Sequence, residues 1–137
     1  EIAQCLVGSE MCIRDSVRPG MLSPADADAL ENSADVLVSL GNAYDNQMPS
    51  KLFGYFATGK PVLHLAVSES DPTLPYLARY PLALVLHAGE GVTSGVVAKL
   101  DKWLHDVKGK HLPFAEVAKL YPEFTPEKVA EAFLRGM

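Results

Sequence analysis

Ser50 and Lys51 are the residues whose types and spacing first suggest chemistry. They follow Pro49 at a point where a loop enters a helix, shortly after an apolar run at residues 35–40 (DVLVSL). In open α/β sheets ligands collect beyond the carboxyl ends of strands, so a loop that leaves a strand and opens a helix is the place to look. The unpaired backbone N–H groups of a helix start suit a phosphate, to which Ser50 adds a hydroxyl and Lys51 a positive charge. The plainer alternative is ordinary helix capping beside a solvated lysine.

The remaining candidates have structural readings. His64 lies inside an apolar run and His87 follows another, so both are expected to serve packing. His105 falls on a helix and His111 in a linker, and no metal is expected at either. Glu69, Asp71 and Glu90 sit in loops after strands, where they could face a ligand but read as ordinary loop polarity. Trp103 belongs to a helical core stripe. No Ser-His-Asp or Cys-His arrangement is expected.

The elements that must position these residues follow from periodicity and punctuation. Ser23-Pro24 with Asp26 reads as an N-cap, a proline at the first helical position and an acidic first turn, giving a short helix to about Ser33. Residues 35–40, bounded by Gly41-Asn42, read as a strand buried on both faces. A helix opening at Pro49 or Ser50 places Leu52, Phe53 and Phe56 on one face, and Gly59 with Pro61 closes it. Residues 61–66 (PVLHLA) form the next strand. A polar, proline-rich passage over 68–81 leads to a third at 82–86.

From Thr93 a helix carries Val96, Val97, Leu100, Trp103, Leu104 and Val107 as its apolar stripe and ends at Gly109. A short helix over 114–120 follows, then a last one capped by Thr125-Pro126 and carrying Val129, Phe133 and Leu134. The alternation of strands and helices predicts an α/β domain, a partial doubly wound Rossmann-like fold with a parallel sheet. There is no internal repeat.

Composition narrows the function. The 137 residues are 48% hydrophobic and 21% charged, which suits one globular domain. A net charge of −5 without a basic cluster argues against nucleic acid. No apolar run approaches the roughly 20 residues of a membrane span, so no transmembrane segment is expected.

Residues 6–15 read LVGSEMCIRD, the conceptual translation of a sequencing-library transposon adapter. Back-translation as CTC GTG GGC TCG GAG ATG TGT ATA AGA GAC places that adapter in one open frame. Residues 1–16 are therefore read as non-native and set apart from the fold, with residues 17–137 as the protein domain, itself expected to be truncated at its start. Cys5 and Cys12, the chain's two cysteines, both fall in this stretch and carry no metal or redox inference.

The stretch GNAYDNQMPSKLFGYFATGKPVLHL resembles the donor-site loop and helix of retaining glycosyltransferases of the GT-B fold, the group 1 or family 4-like enzymes. Gln47, Pro49, Ser50, Lys51, Tyr55, Gly59, Lys60 and Pro61 match the pattern, and the resemblance runs over residues 33–86. It implies the C-terminal, donor-binding domain of a cytoplasmic enzyme that takes a nucleotide-diphosphate sugar as substrate, with no further cofactor. Asn42, Gln47, Met48, Pro49, Ser50 and Lys51 would be the donor-binding residues. Gln47 and Met48 would lie near the sugar through their backbone, Ser50 and adjacent amides near the diphosphate, and Lys51 would assist.

Family members often carry two glutamates here, at the positions of Asn46 and Gly54. The second binds ribose hydroxyls, which a glycine cannot do through a side chain. The acceptor would sit on an N-terminal domain of the same protein, without which the fragment is not expected to catalyse transfer. An open strand edge along residues 35–40 and an exposed apolar face on the last helix follow from the same picture. Two other readings are a nucleotide-sugar epimerase, for which the carboxylate at position 54 is lacking, and a non-catalytic α/β nucleotide-binding or interaction module.

Overall fold

The computed structural model describes residues 19–44 and 46–136. The reading of residues 1–16 as adapter-derived therefore falls outside the described residues. The chain divides into two units at Ser33/Ala34.

In the first unit, helix α1 (Pro24–Ser33) starts as its residues dictate. The Asp26 backbone N–H donates to Ser23 Oγ at 3.2 Å, and that hydroxyl donates to the Asp26 carboxylate at 2.6 Å. One orphan N–H of the first turn is thereby satisfied.

The second unit is mixed α/β. Strands β1 (Leu37–Leu40), β2 (Val62–Ala66) and β3 (Ala83–His87) form a three-stranded parallel sheet in the order β1-β2-β3. The register pairs Ser39 with His64 and His64 with Val85. Helix α2 (Lys51–Ala57) joins the first two strands and α3 (Leu74–Leu77) lies between the second and third. A 3-10 turn (Ala88–Glu90) leads to α4 (Ser94–Val107), then α5 (Phe114–Leu120), a second 3-10 turn (Pro122–Phe124) and α6 (Pro126–Arg135).

The core is built on Leu52 and Phe56 of α2, Val62 of β2, Leu77, Tyr80 and Leu82 around α3, Val107 of α4, and Val117 and Tyr121 at α5. The Phe56 ring stacks on Tyr80 at 4.6 Å between centroids and on Tyr121 at 5.0 Å. Each tyrosine keeps its hydroxyl bonded, Tyr80 donating to Lys60 O and Tyr121 to Tyr76 O. The aromatic bodies can therefore be buried without orphaning a polar atom. Burial pushes the Tyr80 phenol up to about 12.

Gly59 follows the end of α2 with φ +73°, and a Cβ there would overlap the Leu112 carbonyl. Leu112 N–H donates to Gly59 O at 2.8 Å, so glycine is needed both for its left-handed φ and for this close approach.

Several expectations are corrected. The first strand begins at Leu37 rather than 35 and is buried on one face only, with Leu37 and Ser39 inside and Val38 and Leu40 outside. Burial on both faces requires elements packed on both, and Val38 and Leu40 remain exposed. The passage over 68–81 contains α3, where Asp71 and Thr73 set up a helical turn that a polar, proline-rich composition conceals. On α4, Val97 and Leu104 are exposed, whereas Trp103 packs against the core as expected. The α6 face carrying Val129, Phe133 and Leu134 is exposed, and β1 is an edge strand of the described sheet.

Among the described residues no helix is long and apolar enough to cross a membrane.

Candidate functional site

The carboxyl end of β1 opens on a hollow of about 300 Å³ lined by Ser39, Leu40, Pro49, Ser50, Lys51 and Tyr55. That is the lower end of the range for small-molecule sites, roughly 300–1,000 Å³. Three residues singled out from the sequence, Pro49, Ser50 and Lys51, are brought together here. Asn42 lies two residues beyond β1 and is half-buried, while Gln47 and Met48 are exposed on the same loop; these three do not line the hollow.

The helix start differs from expectation. α2 begins at Lys51 and spans seven residues, with Ser50 already in helical φ and ψ of −60° and −30°. Ser50 makes no side-chain capping bond, so its hydroxyl is not used in the way the plain capping alternative requires. A two-turn helix sums few peptide dipoles, so its macrodipole contributes little at the hollow. Gly54 is exposed, and a Cβ added there would meet nothing within 4 Å.

Behind the hollow lies a polar chain in the sheet. Ser39 and His64 are direct partners in the parallel register and face the same side as Val62. His64 Nδ1 is 3.2 Å from Ser39 Oγ, and its Nε2 is 3.1 Å from Asp71 Oδ2. Thr73 donates twice to Asp71 Oδ1, from its N–H at 2.9 Å and its hydroxyl at 2.6 Å. All four residues are buried.

This overturns two sequence expectations. Asp71 is not ordinary loop polarity, and a Ser-His-Asp arrangement does exist, as Ser39, His64 and Asp71. His64 retains its structural place in the strand. The linear sequence hid the cluster because one member comes from each of two adjacent strands and the third from the loop after β2. A signal was available: two apolar runs, DVLVSL and PVLHLA, each carry one interior polar residue, and Asp-x-Thr follows the second.

Desolvation is the largest influence on the Asp71 carboxyl and pushes its pKa up. The bonds from Thr73 and His64 together outweigh it and hold the group below the usual carboxylate range. An ionised Asp71 only accepts, so the neutral form of the His64 ring would carry its proton on Nε2 and leave Nδ1 to accept from the Ser39 hydroxyl. Gly41 makes room for this arrangement. A Cβ there would lie 2.4 Å from Asp71 Oδ2 and 3.1 Å from Leu65 O.

The other candidates lie elsewhere. His87 Nδ1 is 3.2 Å from the exposed Glu69 carboxylate, His105 bonds the Asp101 carbonyl on α4, and His111 is exposed. Glu90 ends the 3-10 turn after β3. Among the described residues no group of three or more His, Cys, Asp or Glu could hold a metal ion. A larger hollow of about 410 Å³ is lined mainly by Phe53, Phe56, Phe114, Val117, Tyr121 and Phe124. It is mostly apolar, with Glu127 as the charged residue among those lining it, and none of its lining residues comes from a strand.

No protein-family model, curated protein or solved structure matches the chain.

Proposed function

We propose that the chain is the donor-binding part of a cytoplasmic glycosyltransferase, a C-terminal Rossmann-like domain that holds a nucleotide-diphosphate sugar. The observation that carries this reading is the hollow at the carboxyl end of β1, where Pro49, Ser50, Lys51 and Tyr55 of the resembling motif converge and the Ser50 hydroxyl is left out of capping. The diphosphate would lie against Ser50 and the amides around it, with Lys51 opposing the charge that develops as the diphosphate departs. Stabilising developing charge with groups already in place is the largest contribution such a site can make. Gln47 and Met48, on the loop above, would meet the sugar through their backbone, and Asn42 would close the site from the strand side. The acceptor would bind an N-terminal domain of the same protein, so transfer needs both halves.

The test is binding rather than turnover. Titration of UDP-, GDP- and ADP-glucose into the chain, followed by amide chemical shifts, should move residues 39–55 with one donor, and Ser50→Ala with Lys51→Ala should weaken it. If no nucleotide sugar binds at millimolar concentration, or the shifts map to the apolar hollow, the reading fails. The exposed Gly54, which offers no ribose acceptor, favours the second reading, a non-catalytic interaction module. A pure interaction module would bind no nucleotide, whereas a non-catalytic nucleotide-binding module would bind one without supporting transfer.

A further inference from the structure

We infer that Ser39 is a hydroxyl-selecting residue of the hollow, oriented as an acceptor by His64 and Asp71. This rests on the donor-site reading and adds to it a contact that neither the motif nor Gly54 supplies. Ser39 is the buried polar residue among those lining the hollow, and its hydroxyl is the end of the Asp71–His64–Ser39 chain.

The direction of each bond follows from chemistry. Asp71 Oδ1 is occupied by the two donors of Thr73, and Oδ2 accepts from His64 Nε2. Nδ1 of the neutral ring then has only a lone pair to offer, and the Ser39 O–H points to it. With its proton committed to Nδ1, the Ser39 hydroxyl has only oxygen lone pairs left for a ligand in the hollow that Ser39 lines. A phosphate oxygen placed there would meet lone pair against lone pair, whereas a ligand hydroxyl would donate. His64 and Asp71 are positioning residues; Ser39 is the one that touches the ligand. The hydroxyl can come from the ribose or from the transferred sugar.

Asp71→Asn separates this role from simple packing, because it keeps the shape and reverses the chain. Thr73 presents two donors, which hold the amide oxygen of the new side chain, so its NH₂ faces His64 Nε2. The ring must then carry its proton on Nδ1 and donate to Ser39, whose own proton turns into the hollow. Ser39 becomes a donor.

Two measurements on the full chain test this. Nitrogen-15 NMR of the His64 ring should find the Nε2–H form in the wild type and the Nδ1–H form in Asp71→Asn. Calorimetry should find UDP, ADP or GDP bound about tenfold more tightly than the 2′,3′-dideoxy counterpart, with the ratio falling to about one in Ser39→Ala, whereas Asp71→Asn, whose Ser39 donates to the same ligand hydroxyl, should keep a preference for it. If the ratio is already near one in the wild type but the hexose of UDP-glucose adds about a tenfold gain that Ser39→Ala loses, the hydroxyl belongs to the sugar.

Thermal melts establish that each variant is folded. An Nδ1–H ring in the wild type, or a Ser39→Ala variant that binds with unchanged discrimination on both ribose and hexose, overturns the assignment of Ser39. Nε2–H geometry with no nucleotide bound by the wild type instead refutes the donor-site reading, and the ligand contact with it.

Discussion

Replacing Gly41 by alanine isolates the packing that holds the buried polar chain. The added Cβ would stand 2.4 Å from Asp71 Oδ2, 3.1 Å from Leu65 O and 3.2 Å from Ala66 Cα. Backbone at two of these contacts leaves the carboxylate as the group that must move, by about 1 Å, to regain ordinary contact, which stretches its 3.1 Å bond to His64 Nε2 past hydrogen-bonding range. Loss of a bond to a charged group costs about 1.5–3 kcal/mol, and crowding a packed site adds about 1 kcal/mol. Gly41→Ala should therefore lose about 2.5–4 kcal/mol, read as a lower urea midpoint at unchanged slope. Because the cost runs through one carboxylate, it should shrink when Asp71 is shortened. In an Asp71→Ser background Gly41→Ala should cost at least about 1 kcal/mol less than in the wild type. An equal cost in both backgrounds, or a loss under about 0.5 kcal/mol in the wild type, refutes the argument.

Three further outcomes follow from the same structure. Asp71 has a depressed folded pKa, so its contribution is complete above the unfolded carboxylate value of about 3.9 and disappears as pH falls through the folded value. The melting-temperature gap between wild type and Asp71→Asn should be widest above about pH 5 and close under strong acid; a gap independent of pH contradicts an ionised Asp71. Gly54→Glu has open space for its side chain and should stabilise α2 by about 0.5 kcal/mol through helix propensity. It should also tighten a ribonucleoside diphosphate by about tenfold or more in calorimetry, and a stability gain with unchanged affinity argues against a ribose near that helix. Phe56→Ala removes the ring stacked between Tyr80 and Tyr121 and should cost about 3–5 kcal/mol in denaturant unfolding, with a loss near 1 kcal/mol contradicting the aromatic core.

Local rules carried the sequence far. Ser23-Pro24-x-Asp26 announces a helix start because its own side chain and backbone complete the cap. The alternation of short apolar runs with amphipathic stretches points to a parallel sheet, since a helical crossover is the connection that consecutive parallel strands require. Gly59 before Lys60-Pro61 marks the end of α2, and the same glycine meets a second demand, the Leu112 carbonyl, that lies far away along the chain.

What the sequence by itself determined is therefore the kind and order of the three strands and the longer helices, though not α3 or the 3-10 turns, because periodicity, capping and turn chemistry act within a few residues. Which side chains meet was decided only by the tertiary structure. The parallel register sets Ser39 beside His64, the turn after β2 brings Asp71 onto the far side of the ring, and the bare Cα of Gly41 lets the carboxylate in. Burial then has the last word on chemistry: a polar group withdrawn from water must find a partner, and here Ser39, His64, Asp71 and Thr73 supply one another's.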